Sequence, residues 1–243
     1  MEIDDQQIGR LLTRRQVIHL FGAGVIASTG ATHPVRCLNL PACIVRPEQT
    51  EGPFFKDFEL HRSDLRVDLS TKSVLSGISI QLIFHVLRVD QDQCTPLSDV
   101  KVDLWQCDLN GYYSAFRNRG KNLRKENFLR GYQLTDSEGF AQFTTIFPGW
   151  YSGRTVHIHL KLSMEVHHGK AYEFSTQLYF DDALTDHIYS NPPYDRLPER
   201  QVRNWNDQIF RRNGGQQLML DVSPTEAGYT ATFPIGLHLP SGN

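Results

Sequence analysis

Val156-His157-Ile158-His159-Leu160-Lys161-Leu162 alternates strictly between apolar and polar side chains. That is the period of a half-buried β-strand, and on such a strand His157 and His159, two residues apart, point to the same face. The same signature recurs on either side. Upstream, Ile78–Val86 is apolar and β-branched, Val100–Trp105 alternates, and Gly139–Ile146 follows the turn Asp136-Ser137-Glu138-Gly139. Downstream come Phe174–Phe180 and two further stretches near Leu218–Val222 and Tyr229–Ile235. Short strands separated by turn signals predict an all-β fold, a β-sandwich with few short helices. Helices are expected only at Asp182–Tyr189 and at Pro198–Arg212, the second with Pro198 near its first turn and Gly214 beyond its end.

The chain has 243 residues, 40% of them hydrophobic and 21% charged, with a formal net charge of −2. This composition builds a folded core and gives no electrostatic reason to bind nucleic acid or an anionic membrane. A small molecule is the expected partner, and a homo-oligomer stays open. Residues 1–31 read as a signal segment: Thr13-Arg14-Arg15-Gln16 is a twin-arginine start, followed by an apolar run of small residues to Ala31. That run is too short and too glycine-rich for a stable membrane span. Export to the periplasm or beyond is expected, with an uncleaved cytoplasmic form as the alternative. Residues 32–74, with Pro41, Pro47 and Pro53, read as an extended N-terminal arm, and residues 75–243 as one sandwich domain.

Four cysteines, Cys37, Cys43, Cys94 and Cys107, form no CxxC pair, which argues against a zinc or iron–sulfur site. In an exported chain Cys94 and Cys107, flanking a turn and a strand, could pair, Cys37 and Cys43 sit close in an extended Pro-containing segment, and the connectivity cannot be derived from the sequence. Four buried thiols are the bland alternative.

Two tyrosine-bearing loops precede the histidine strand: Asn110-Gly111-Tyr112-Tyr113, where Asn-Gly is a turn signal, and Pro148-Gly149-Trp150-Tyr151-Ser152-Gly153. Glycines on both sides of Tyr151 permit a backbone sharp enough to aim its phenol at a strand-borne site. Two imidazoles and two phenols would make a hard N/O donor set without thiolate, which suits iron(III). Each residue also has an ordinary reading, as a histidine on a solvated face or a half-buried tyrosine after a turn.

Taken in order, Asp103-Leu104-Trp105-Gln106-Cys107-Asp108-Leu109-Asn110-Gly111-Tyr112-Tyr113-Ser114, Phe128-Leu129-Arg130-Gly131, Thr145–Tyr151, Arg154-Thr155-Val156-His157-Ile158-His159 and Thr176–Phe180 resemble the motifs of the intradiol ring-cleavage dioxygenases, the family of protocatechuate 3,4-dioxygenase and catechol 1,2-dioxygenase. Pro47-Glu48-Gln49-Thr50-Glu51-Gly52-Pro53-Phe54 resembles a segment found ahead of that core. The resemblance implies a β-sandwich enzyme with one Fe(III) per subunit, held by Tyr113, Tyr151, His157 and His159, acting on a catecholic substrate and O2 to give a muconate-type diacid. It selects Tyr113 over Tyr112 as ligand. It also assigns catalytic roles to Tyr151 as proton acceptor, Arg154 as the stabiliser of negative charge on the ring, and Gln177 as a residue that orients Arg154 or the ring. Substrate contacts are expected among Tyr112, Arg130 and Trp150, with Phe54 and Phe55 nearby. The chain departs from the family pattern in its short Tyr151–His157 connection and in showing no helical dimerisation segment. Two other classes compete: a cupin-like Fe(II) oxygenase, which would need a carboxylate and a further histidine, and a non-enzymatic sandwich module with an aromatic binding face.

Overall fold

The computed structural model describes residues 44–90, 93–166, 170–195 and 197–239. Two β-sheets face each other. The first is organised around β1 (Ser79–Asp90), which runs parallel to β11 (Gly228–Leu237) on one side and antiparallel to β7 (Phe140–Ile146) and then β2 (Gln93–Pro96) on the other; β10 (Val222–Thr225) closes the β11 edge. The second has the order β6-β3-β8-β9, built from β6 (Arg130–Leu134), β3 (Lys101–Trp105), β8 (His157–Val166) and β9 (Lys170–Tyr179), all antiparallel. The alternation read from the sequence sets the interior. Ile80, Leu82, Phe84 and Val86 of β1 meet Ile158, Leu160 and Leu162 of β8 in one buried apolar cluster. His157 and His159 therefore lie on the opposite, outer face of the second sheet, and they are nonetheless buried.

That outer face is covered by residues 50–58 and the two tyrosine loops. The proline-containing arm is extended as expected, yet it packs as part of the body: Gln49 is buried, its backbone N–H donates to Ser175 O, and its side chain bonds Asn213 O and the Tyr179 hydroxyl. A two-stranded hairpin, β4 (Arg117–Asn118) and β5 (Lys121–Asn122), projects beyond the first tyrosine loop. Its two-residue turn, Arg119-Gly120, has positive φ at both positions (47° and 83°), the geometry that matches strand twist in tight hairpins.

Helix α1 (Asp182–Tyr189) forms as expected, capped by the Asp181 carboxylate on Leu184 N–H. The second helix is much shorter than expected. Only α2 (Gln208–Arg212) forms, because Asp207 caps it by accepting from Ile209 and Phe210 N–H. Residues 198–207 instead spend their polar groups on tertiary bonds, Arg200 and Arg203 pairing with Asp182 and Asp186 of α1 and Asn204 bonding Thr155 and Phe180 O. The strand expected near Leu218–Val222 begins only at Val222; Gly215–Leu218 is a 3₁₀ turn.

The twin-arginine segment lies outside the described residues, and among those described no helix is long and apolar enough to cross a membrane. The proposed Cys94–Cys107 pair does not form. Cys94 is disulfide-bonded, but Cys107 is a free, buried thiol whose Sγ lies 3.4 Å from Gly149 O. Burial pushes that thiol well up from its ordinary pKa and keeps it inert.

Candidate metal centre

Strand register assembles the centre. Across the second sheet Arg130, Trp105, His159 and Gln177 occupy one row on β6, β3, β8 and β9, and His157 pairs with Tyr179 in the next. Trp105 stacks flat on His159, with centroids 5.0 Å apart and an interplanar angle of 6°. Four motifs scattered over nearly eighty positions of sequence thus meet on one patch of sheet.

The two phenols arrive on loops that touch backbone to backbone. A Cβ at Gly111 would sit 2.2 Å from Trp150 O, and one at Gly149 would sit 2.1 Å from Leu109 O. Any side chain at either position would force the loops apart. Gly149 thus serves close approach rather than a sharp turn. Its N–H donates to Asp108 O, and Cys107 Sγ reaches its carbonyl. The result brings the rings of Tyr113 and Tyr151 to 5.7 Å. Phe54 wedges beside them, stacked on Tyr113 at 4.3 Å.

The polar tips converge. Tyr151 Oη lies 3.1 Å from His157 Nε2, and His157 Nε2 lies 3.2 Å from His159 Nε2. His157 Nδ1 is 2.7 Å from Thr155 O; only an N–H can donate there, so the Nε2 lone pair faces its neighbours. Burial, reinforced by the Arg154 charge, lowers His157 to about 3 and holds His159 far below its ordinary value, so both imidazoles are neutral. Burial raises Tyr113 well above and Tyr151 to about 12. Tyr113 Oη is buried without a hydrogen-bond partner, which is costly in the absence of an electrophile. Converging lone pairs and an orphaned phenol fit a cation among the four tips, whose charge would invert the phenols' preference and favour phenolate. Among the described residues no group of three or more His, Cys, Asp or Glu forms; the two histidines are completed by phenols instead.

Arg154 borders this centre, its Nη1 3.5 Å from His157 Nε2. The guanidinium is held from behind: Nε donates to Asp207 Oδ2 at 2.9 Å and Nη2 to Gln177 Oε1 at 2.6 Å. Gln177 is itself fixed by its Nε2, which donates to Thr50 O. Burial alone would raise the Asp207 carboxyl, but bonds from the Phe210 and Thr155 N–H groups and the Arg154 charge outweigh it and hold the group ionised, below its ordinary value.

A protein-family model described as "Dioxygenase" matches residues 50–204. An intradiol ring-cleavage dioxygenase from Tetranychus urticae superposes with a TM-score of 0.68 at 30% identity, covering 81% of this chain and 95% of that one. The chain belongs to the intradiol ring-cleavage dioxygenase family. The dioxygenase domain of a dioxygenase–carbohydrate-binding fusion from Streptomyces sp. SirexAA-E matches at 27% identity, 81% and 100% coverage and a TM-score of 0.57. The 3-chlorocatechol 1,2-dioxygenase of Rhodococcus opacus 1CP, at 23% identity, 80% and 74% coverage and a TM-score of 0.56, shares the fold. These neighbours are ring-cleaving oxidoreductases, and the sequence expectation of an intradiol dioxygenase on a β-sandwich stands.

In this dioxygenase a cavity of about 370 Å³ opens beside the centre. Tyr151 is the member of the four that lines it, together with Tyr112 and Trp150, two of the expected substrate contacts. Arg130, the third, does not line this cavity. It is 3% exposed, and its guanidinium donates to Ser114 Oγ, Ser114 O and Phe54 O. Those bonds tie the Tyr113 loop to the arm. Asp207 escaped the sequence reading. It stands 53 residues from Arg154, and its signal, an N-capping aspartate before Ile209-Phe210, was hidden inside a longer expected helix.

Proposed function

We propose that this dioxygenase is iron(III)-dependent, holds one iron per chain through Tyr113, Tyr151, His157 and His159, and opens catechols between their two hydroxyl-bearing carbons. Both atoms of O2 enter the product, a cis,cis-muconate-type diacid, so that substrate plus O2 accounts for every atom. The convergence of two phenol oxygens and two imidazole Nε2 atoms carries the reading, because that hard, thiolate-free set suits a ferric ion. When bound, the iron supplies Lewis acidity, drawing catechol oxygens to itself and acidifying them. The chain's residues do the rest. Tyr151 borders the cavity and holds its Oη 3.1 Å from His157 Nε2, and in this reading that oxygen takes a proton from an incoming catechol hydroxyl. Arg154 holds Nη1 3.5 Å from His157 Nε2, with a planar charge suited to stabilising negative charge on the ring. Gln177 and Asp207 fix its direction. Trp105, Phe54 and the covering arm exclude water from His159 and Tyr113.

Oxygen uptake with catechol, together with the product's ultraviolet spectrum and iron analysis, tests this. One iron per chain, a visible tyrosinate-to-iron band and a muconate-type product are expected. A colourless iron-loaded protein, or an extradiol product, would overturn it.

Export is part of the same reading. The Thr13-Arg14-Arg15-Gln16 start and a disulfide at Cys94 support an oxidising destination outside the cytoplasm.

A further inference from the structure

The cavity beside Tyr151 is larger than a single ring needs, since about 370 Å³ falls within the range of roughly 300–1,000 Å³ that holds drug-sized ligands. Its walls near the centre are aromatic, Tyr112 and Trp150. Two cations line it as well. The β4–β5 hairpin delivers Arg119 and Lys121, both cavity-lining, and both charges lie over the Tyr112 ring, the guanidinium carbon 4.6 Å and Nζ 4.2 Å from its centroid. Arg119 is anchored by Nη1, which donates to Asn110 O at 2.8 Å and Gly111 O at 3.3 Å. No carboxylate lines the cavity among the described residues. Asp108 and Glu126 both feel the Lys121 charge but lie outside the lining, and Asp108 spends Oδ1 on the Asn110 and Tyr112 N–H groups. Two like charges on one hairpin, over an aromatic face and without a lining acid, make a site for an anion.

We propose that the preferred substrate is a catechol bearing a side arm that ends in a carboxylate. The ring goes to Tyr151, the arm runs between Tyr112 and Trp150, and the carboxylate reaches Arg119 and Lys121. This rests on the intradiol reading for the ring end and assigns specificity to the hairpin. A bare catechol leaves the hairpin unused.

The test compares 3-(3,4-dihydroxyphenyl)propanoate with its methyl ester on the holoenzyme, by kcat/KM and, anaerobically, by equilibrium binding through tryptophan fluorescence. The acid is expected to be favoured over the ester in both. Lys121→Glu, on the exposed hairpin, should cut the acid-to-ester ratio by at least about fivefold, as expected for reversing one exposed ion pair. Equal handling of acid and ester, or a ratio unchanged by Lys121→Glu, would overturn the inference even if catechols are cleaved. A binding preference that Lys121→Glu abolishes, in a protein that cleaves no catechol, would uphold the anion site and sink the dioxygenase reading instead.

Discussion

Arg154 Nε donates to Asp207 Oδ2 at 2.9 Å, and the same oxygen accepts the Thr155 N–H at 2.8 Å. One buried carboxylate thus joins the start of the histidine strand to the cap of α2 and aims the guanidinium at the centre. The other oxygen, Oδ1, caps the helix, so its position is set twice over.

Asp207→Asn keeps an acceptor but removes the charge. Turnover is expected to fall about 10–100-fold, the usual cost of losing a supporting partner to an active group, with the iron band retained. Asp207→Ala leaves Arg154 buried and unpaired and should destabilise the fold by about 3–5 kcal/mol. Steady-state kinetics beside thermal unfolding separate the two effects. An Asn variant with full turnover would refute the positioning role.

Gly149→Ala puts a methyl group against Leu109 O. The loops must part, and the phenols with them. We expect the visible band and iron affinity to fall together, with a stability loss of about 1–3 kcal/mol for overpacking. Unchanged colour would mean that the loop contact does not set the distance between the phenols.

Tyr151→Phe should shift the visible band and cut turnover, because it removes the oxygen beside His157 Nε2 from a residue that lines the cavity. Tyr112→Phe should leave the band in place, since its ring serves the cavity and the hairpin cations. Loss of colour in Tyr112→Phe rather than in Tyr113→Phe would overturn the choice of ligand. Chelation of iron should abolish activity and lower the midpoint of thermal unfolding, as for any ligand that binds only the native state.

Asp103 gives a pH dependence separate from the centre. Burial, opposed by the Lys101 charge, raises its carboxyl to about 6. A folded pKa above the unfolded value means that the protonated form is the stable one. Its contribution is fully present below the unfolded pKa near 4 and is lost as pH rises through 6. Asp103→Asn should therefore stabilise the protein at pH 8 by about 1–3 kcal/mol and change little near pH 3. Denaturant titrations at the two pH values decide it.

Strand positions on both sheets were legible in the sequence because a period of two is a local property. Ile80, Leu82, Phe84 and the run from Ile158 to Leu162 show their buried face without reference to any partner. The helix at Pro198–Arg212 was misread for the opposite reason. The signals read there, Pro198 at the start and Gly214 beyond the end, are local, whereas Arg200, Arg203 and Asn204 are claimed by Asp182, Asp186, Thr155 and Phe180 from across the fold, and no local pattern records such partners.

The sequence by itself determined the chemistry on offer: two histidines sharing one strand face, two glycine-flanked tyrosine loops, and a sandwich to carry them. Only the tertiary structure decided which side of the sheet they occupy and what surrounds them. Strand register set Trp105 and Gln177 on either side of His159. The close approach of Gly111 and Gly149 to the opposite loop brought the phenols together. Folding made Arg130 a tie between the Tyr113 loop and the arm, and it supplied Asp207 from far along the chain. These are long-range relations, fixed by hydrogen-bond registry and steric contact between segments distant in sequence, and they exist only once the chain has folded.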